Sequence, residues 1–308
     1  MSAPIGVLVM AYGGPGSLDE VEPYLRDVRS YRETPAHIVE EVRARYARIG
    51  GRSPILERTA AQAEALGGAL RNGKRGAFAP IVGMRHWHPY IGDALARLSE
   101  RGITRAVGLV MAPHYSRLSI GAYYREIDEA RSGVEVKAIE SWHLLPGYLD
   151  ALADRVRQAL ARFPESARER VHLLFTAHSL PSRILDWHDP YPHHLQETVG
   201  GVLARLGDRP HGFAYQSAGM SGEPWLGPDA ETTVDRLADA GVREVLVVPI
   251  GFVCEHVEVL YDVDVELKAH AGTRGVWLER IEMLNDHPAM VAGLAELVRG
   301  AARAAGWI

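Results

Sequence analysis

The sequence predicts an α/β fold of two doubly wound halves, each with a four-stranded parallel sheet, facing one another across a cleft. Three observations predict it. Short apolar runs alternate with helical segments along the whole chain, the pattern of βαβ units joined by right-handed crossovers. The runs Ile5–Met10 and Ala106–Met111 are continuously apolar, as strands covered on both faces are. The halves also end alike: SWHLLPGYLDAL (141–152) and EMLNDHPAMVAGL (282–294) each lead from a fourth strand into an apolar helix, a weak internal repeat. The halves are placed at 1–145 and 146–308, with the last helix able to pack across both.

In the first half, the strand 5–10 runs into Tyr12-Gly13-Gly14, and Ser17 with Glu20 predicts a capping box for a helix carrying Val21, Tyr24, Leu25 and Val28. Thr34-Pro35 opens a second helix that stops at Gly50-Gly51, and a third spans Leu56–Leu70. A strand over Ala77–Val82 contains Pro80, which cannot donate to a ladder and so predicts an edge position. The loop after it carries Arg85, His86, Trp87 and His88. Strand 106–111 leads into Ala112-Pro113-His114-Tyr115, then comes a helix through Tyr123 and Tyr124. The polar alternation of Val134–Ile139 predicts the other edge. The second half repeats the rhythm, with strands at 171–176, 212–215, 245–250 and 275–281 and helices at 147–163, 194–206, 230–240 and 289–305.

Composition narrows the function. A chain of 308 residues with 47% apolar content builds proper cores, and its net charge of −5 is spread without a basic block, which argues against nucleic acid. The single cysteine, Cys254, leaves no internal disulfide and too few thiolates for an iron–sulfur cluster. The first Lys or Arg is Arg26, and the longest apolar run, Val245–Cys254, is about half a membrane span. The expectation is a cytoplasmic protein without a membrane span.

In parallel sheets ligands bind beyond the carboxyl ends of the strands, and those ends are rich in functional side chains here: Tyr12, His86, His88, His114, His178, Gln216, Glu255, His256 and Glu258. With strand order 2-1-3-4 in each half, the first and third strands are neighbours, which brings His178 and Glu258 together. An imidazole beside a carboxylate can take up protons or hold a divalent metal. After Gly251 a helix carries Glu258, Asp262 and Glu266 at i, i+4 and i+8, three carboxylates that face either water or a cation. The GGPGSLD loop lacks the third glycine of a dinucleotide fingerprint, and Ser179 lacks the glycines of a nucleophile elbow.

The segments LVMAYGGP (8–15), RYARIGGRSPI (45–55), APHYS (112–116), AHSLP (177–181), DPYP (189–192), QSAGMSGEPWLGPD (216–229) and GFVCEHVEVLYDVD (251–264) together resemble the ferrochelatases, which insert ferrous iron into a porphyrin. The resemblance implies Rossmann-like chelatase halves, with His178 and Glu258 as the active-site pair in contact with iron. It also implies that Asp262 and Glu266 form an acidic ridge, either a path for metal or protons or a second divalent-cation (Mg) site. Tyr12 would face the porphyrin from the other side, and Arg29, Arg45, Tyr46, Ser53 and Tyr124 would contact the macrocycle and its carboxylates. The region PYLRDVRSYRETP is charged where membrane-associated relatives carry an apolar lip, and Arg29 and Arg32 suit a polar substrate. This resembles the coproporphyrin III ferrochelatases, which use Fe(II) as substrate, hold no tightly bound cofactor or iron–sulfur cluster, act as monomers and meet haem-pathway enzymes transiently. Alternatives within reach of the sequence are a protoporphyrin IX ferrochelatase, a chelatase for another metal or ring, and a noncatalytic tetrapyrrole or metal carrier.

Overall fold

A computed structural model describes residues 3–71, 78–219 and 222–308. The start of the expected second strand at Ala77, and Met220 and Ser221 of the QSAGMSGEPWLGPD segment, lie outside the described residues. The chain forms two compact units: Met1–Trp142 with Cys254–His256 and Asn285–Ile308, and His143–Val253 with Val257–Leu284.

The first unit holds a parallel sheet of β1 (Ile5–Ala11), β2 (Phe78–Met84), β3 (Arg105–Val110) and β4 (Glu135–Ile139) in the order β2-β1-β3-β4. All seven residues of β1 are buried, as its unbroken apolar run requires of a central strand. Pro80 sits on edge strand β2, where its missing N–H costs no ladder bond, and the alternating burial of β4 marks the other edge. Helix Ile91–Glu100 completes the β2-to-β3 crossover. It is absent from the sequence reading although its buried Ile91, Ala94, Leu95 and Leu98 keep helical spacing.

Two local expectations change. Ser17 is extended and makes no side-chain cap, and a single 3₁₀ turn precedes helix Val21–Val28. Glu20 instead accepts from the Gly16 N–H at 2.7 Å and from the Trp87 indole at 2.8 Å, so it ties two loops together rather than closing a capping box. The last helix, Pro288–Ala304, belongs to the first unit, although chain order assigns it to the second half; the unit break at Trp142/His143 also precedes the expected 145/146 boundary. Within that unit Arg299 donates to the Ala69 carbonyl at 2.7 Å, and Gln62 donates to the Asn285 carbonyl at 2.8 Å. These bonds hold the C-terminal segment to helix Ile55–Leu70.

The second unit repeats the topology: β5 (His172–His178), β6 (His211–Gln216), β7 (Glu244–Pro249) and β8 (Trp277–Arg280) stand in the order β6-β5-β7-β8. The central pair β5 and β7 is fully buried and, Thr176 aside, apolar from Leu173–Ala177 on one strand and Val245–Val248 on the other. Beyond β7 the chain bends back against β5. Ile250 donates to the Thr176 carbonyl at 2.8 Å, and the buried Tyr148 hydroxyl donates to the Ile250 carbonyl at 2.5 Å. Gly251 follows at a position with no room for a side chain, because an added Cβ would lie 2.8 Å from Ala177 Cβ and 3.0 Å from Ala177 Cα.

The segment after this bend is a short α-turn, Val257–Leu260, then a π-helix, Asp262–Leu267, then an α-turn, Lys268–Thr273, in place of the regular helix that the sequence suggests. The Glu266 N–H donates to the Tyr261 carbonyl, five residues back, at 3.0 Å. In an α-helix every fourth residue drifts by about 40° around the axis. The wider π turn opposes that drift, so Glu258, Asp262 and Glu266 stay closer to one line, one residue ahead of the buried ridge Val259, Val263 and Leu267.

Gly251→Ala is expected to cost about 1–3 kcal/mol through overpacking against Ala177. The measurement is the urea unfolding midpoint beside that of the parent chain, and an unchanged midpoint would show that the bend has slack.

Candidate active site

The second unit brings the predicted pair together. His178 ends β5, Glu258 lies beyond the end of β7, and these strands pair in parallel, with Thr176 opposite Pro249. His178 Nδ1 and Glu258 Oε2 are 2.8 Å apart, and both side chains keep partial access to solvent, at 33% and 29% exposed. Burial presses the His178 proton affinity down. The charge and hydrogen bond of Glu258, with the charge of Asp262, outweigh that effect and hold the imidazole above its ordinary value.

Neighbouring groups fix the backbone of this pair. The Tyr191 hydroxyl, in the first turn of helix Tyr191–Leu206, donates to the His178 carbonyl at 2.8 Å. Gln216, at the end of β6, donates its side-chain amide to the Glu258 carbonyl at 2.7 Å. Ser217 adopts a positive φ of 57° and turns its hydroxyl onto the Asp262 carboxylate. Asp264, between the acids of the ridge, receives two parallel bonds of 2.8 Å from Arg280 of β8, which anchor the π segment to the sheet.

The AHSLP and EPWLGP segments lock onto one another. The Ser179 N–H donates to the Gln216 carbonyl at 2.8 Å, and the Ser179 hydroxyl donates to the Leu226 carbonyl at 2.8 Å. The Leu226 N–H returns to the Leu180 carbonyl at 2.9 Å. Ser179 therefore serves as a strut and not as a nucleophile. Trp225 stands edge-on to His178 with ring centroids 6.4 Å apart. Gly219 leaves space for its indole, since a Cβ there would lie 2.5 Å from Trp225 Cζ2.

Glu258, Asp262 and Glu266 are all half-buried, so the row is not a freely solvated face. Tyr191, Gln216, Ser217 and Trp225 do not stand out as ligands in the sequence. All four lie in the DPYP and QSAGMSGEPWLGPD segments, but only Gln216 is singled out there, as a strand-end residue; the other three act through side-chain contacts that a linear pattern does not reveal.

The first unit places the remaining predicted residues differently. Tyr12 follows β1, is 38% exposed and lies 4.6 Å, centroid to centroid, from His86. His86 is held by Asp27 at 2.8 Å, and burial and Arg85 lower its proton affinity against the pull of Asp27. Ser53 donates its N–H to the Pro15 carbonyl at 2.8 Å, and its Cβ would be 2.6 Å from a Cβ on Gly14, so the GGRSP and GGP loops interlock. Arg29 is exposed at the end of helix Val21–Val28, and Arg45 is half-buried beside Glu41 at 2.9 Å. Tyr46 is 2% exposed, with its ring packed among buried neighbours. The Tyr124 hydroxyl donates to backbone at the β3–β4 pair, 2.7 Å from the Ile139 carbonyl and 3.1 Å from that of Gly108. Its proton is therefore engaged within the sheet.

Cys254 is buried, and burial pushes its thiol up to about 12, which makes it a packing residue. Among the described residues no helix is long and apolar enough to cross a membrane.

Comparison with known proteins agrees with this architecture. The Ferrochelatase family model matches residues 4–302. The chain is 43% identical over 304 residues to a ferrochelatase of Herpetosiphon aurantiacus, covering 97% of this chain and all of that one. It is 38% identical over 298 residues to a coproporphyrin III ferrochelatase of Geobacillus kaustophilus, covering 95% of this chain and 94% of that one. The solved structure of CbiX, the terminal enzyme of siroheme biosynthesis in denitrifying bacteria, superposes with a TM-score of 0.56 at 14% identity, over 96% of this chain and 99% of that one, a likeness of fold. Family model, relatives and doubly wound architecture together show that the chain belongs to the ferrochelatases, enzymes that insert iron into a porphyrin.

Proposed function

We propose that the chain inserts Fe(II) into coproporphyrin III to give coproheme, with His178 and Glu258 as the groups that receive the metal and the displaced pyrrole protons. The observation that carries the site assignment is the 2.8 Å pairing of His178 with Glu258 at neighbouring strand ends, backed by Asp262. An imidazole lone pair and a carboxylate suit a borderline divalent ion, and the same two groups can accept the protons that the ring gives up. Glu258 orients the imidazole by engaging Nδ1 and leaves Nε2 for the reacting partner. Asp262 and Glu266 continue the row of carboxylates and lower the cost of bringing a cation, or removing a proton, along it. They also form the acidic pair at which a second divalent cation such as Mg would be held.

The choice of coproporphyrin rests on charge. Four propionates need cationic partners, and Arg29 and Arg32 are exposed in a charged segment rather than an apolar lip. The naming of the Geobacillus relative points the same way.

His178→Ala is expected to bind porphyrin with little change in affinity while its insertion rate falls by about 10²–10⁴, the usual contribution of a positioned acid–base group. Porphyrin fluorescence titration and anaerobic turnover measure the two quantities, and near-parental turnover excludes His178 from the chemistry.

In metal-free protein, His178 should lose its proton above its ordinary value of 6.5. Removing the Glu258 charge leaves burial dominant, so Glu258→Gln should move the titration to lower pH. Imidazole NMR shifts followed against pH provide the check, and a titration that stays in place removes the Glu258 partnership.

Anaerobic Fe(II) assays with coproporphyrin III and protoporphyrin IX in parallel should favour coproporphyrin III in kcat/KM. Arg29→Ala should raise its KM by about tenfold, the equivalent of one charge-assisted contact of roughly 1.4 kcal/mol. Preference for protoporphyrin IX overturns the substrate assignment without touching the iron site.

A further inference from the structure

We propose that His143, His194 and Glu197 form a second metal site, separate from the His178–Glu258 pair, for a divalent first-row transition ion of the Zn(II) class. Each residue offers one ligand atom, and the three atoms lie within 4.8 Å of one another. His194 and Glu197 are i and i+3 in helix Tyr191–Leu206, so they project from one face, while His143 comes from the loop that precedes helix Pro146–Leu160. His143 Nε2 is 3.0 Å from Glu197 Oε2, and the two imidazoles stack with centroids 3.9 Å apart and planes at 16°. His193 Nε2 approaches the other Glu197 oxygen at 3.6 Å, from a side chain that is largely exposed.

Two features suit this cluster to a cation better than to an internal salt bridge. The first is that His194 Nδ1 is buried and meets no hydrogen-bond partner among the described residues, a cost that a bound ion or its water removes. Preorganisation is the second. The Thr198 hydroxyl shares its proton between the His194 carbonyl at 3.1 Å and the His143 carbonyl at 3.2 Å, and so links the loop to the helix one residue past Glu197. Two neutral imidazoles and one carboxylate form a donor set common for Zn(II) with an open position, and one that also accepts Fe(II) or Co(II). An ion there would also steady the turn whose Tyr191 hydroxyl holds the His178 carbonyl.

The test uses the full chain carrying His178→Ala and Glu258→Gln, so that the chelatase pair cannot contribute. Zn(II) titration by calorimetry is expected to give about one bound equivalent, and adding His194→Ala to that chain should weaken binding at least tenfold. In the same His178→Ala, Glu258→Gln chain, Co(II) should develop ligand-field absorption that a further Glu197→Gln abolishes and a further Asp262→Asn spares, with circular dichroism reporting that each variant is folded. Absence of Zn(II) binding in the double variant, or an affinity indifferent to His194→Ala, overturns the site. So does a Co(II) spectrum that follows Asp262 instead of Glu197.

Discussion

The parallel pairing of β5 with β7 is the constraint on which the site depends. Glu258 is eighty residues from His178 in sequence, and only a strand order that makes the first and third strands neighbours carries both to one edge. That order in turn requires two crossovers of the same hand and a sheet centre apolar enough to be buried on both faces, which Leu173–Ala177 and Val245–Val248 supply. The bend at Gly251 then sets the distance. Ile250 bonds to Thr176, and the absent side chain of Gly251 lets the chain lie directly on Ala177, one residue before the catalytic candidate.

Electrostatics at this edge result from opposed terms. Burial alone would leave His178 a weak base, whereas Glu258 and Asp262 draw a proton onto it. Metal binding works against that proton, because an imidazole ligates only when its lone pair is free. In the proposed role, Fe(II) and the His178 proton compete for one imidazole, and the carboxylates that favour the proton equally favour the cation. The row therefore raises the local preference for positive charge without choosing its carrier, and the porphyrin, which supplies two protons and takes one metal ion, decides the direction of exchange.

Much of the fold and part of the site are legible in the sequence for identifiable reasons. Pro80 marks an edge strand because a missing donor is tolerated only there, and the unbroken apolar runs of β1 and β3 mark centres. His178 and Glu258 emerge once strand order is assumed. Helix Ile91–Glu100 has a clear period but follows a loop crowded with histidines that attracts a functional reading. The Ser17–Glu20 spacing matches a capping box, yet Glu20 finds better donors in Gly16 and Trp87, which are sixty-seven residues of chain apart from it in the latter case. The C-terminal helix and the turn before it cannot be assigned by order because their partners, Ala69 for Arg299 and Gln62 for Asn285, lie far back in the chain. The motifs around Tyr46 and Tyr124 do not reveal their local setting: one ring is buried, and the other carries a hydroxyl bonded within the sheet.

The acidic row leaves the question of why three like charges persist on one half-buried face. Repulsion between neighbours of this kind costs a few tenths of a kcal/mol per pair in a regular helix, roughly 0.2–0.5, and more where water is partly excluded. Two features offset it. Ser217 donates to Asp262, and the Gln216 amide holds the backbone at Glu258, so the first two acids are restrained by hydrogen bonds and not by packing alone. Asp264, which sits between Asp262 and Glu266 in sequence, is removed from the row by its paired bonds to Arg280. Arg280 thereby neutralises the acid that does not serve the line while pinning the π turn that keeps the other three aligned. A regular helix would relieve the repulsion by rotating Glu266 away, so the π segment is held against electrostatic preference, and the paired bonds from Arg280 to Asp264 supply the restraint that keeps it there.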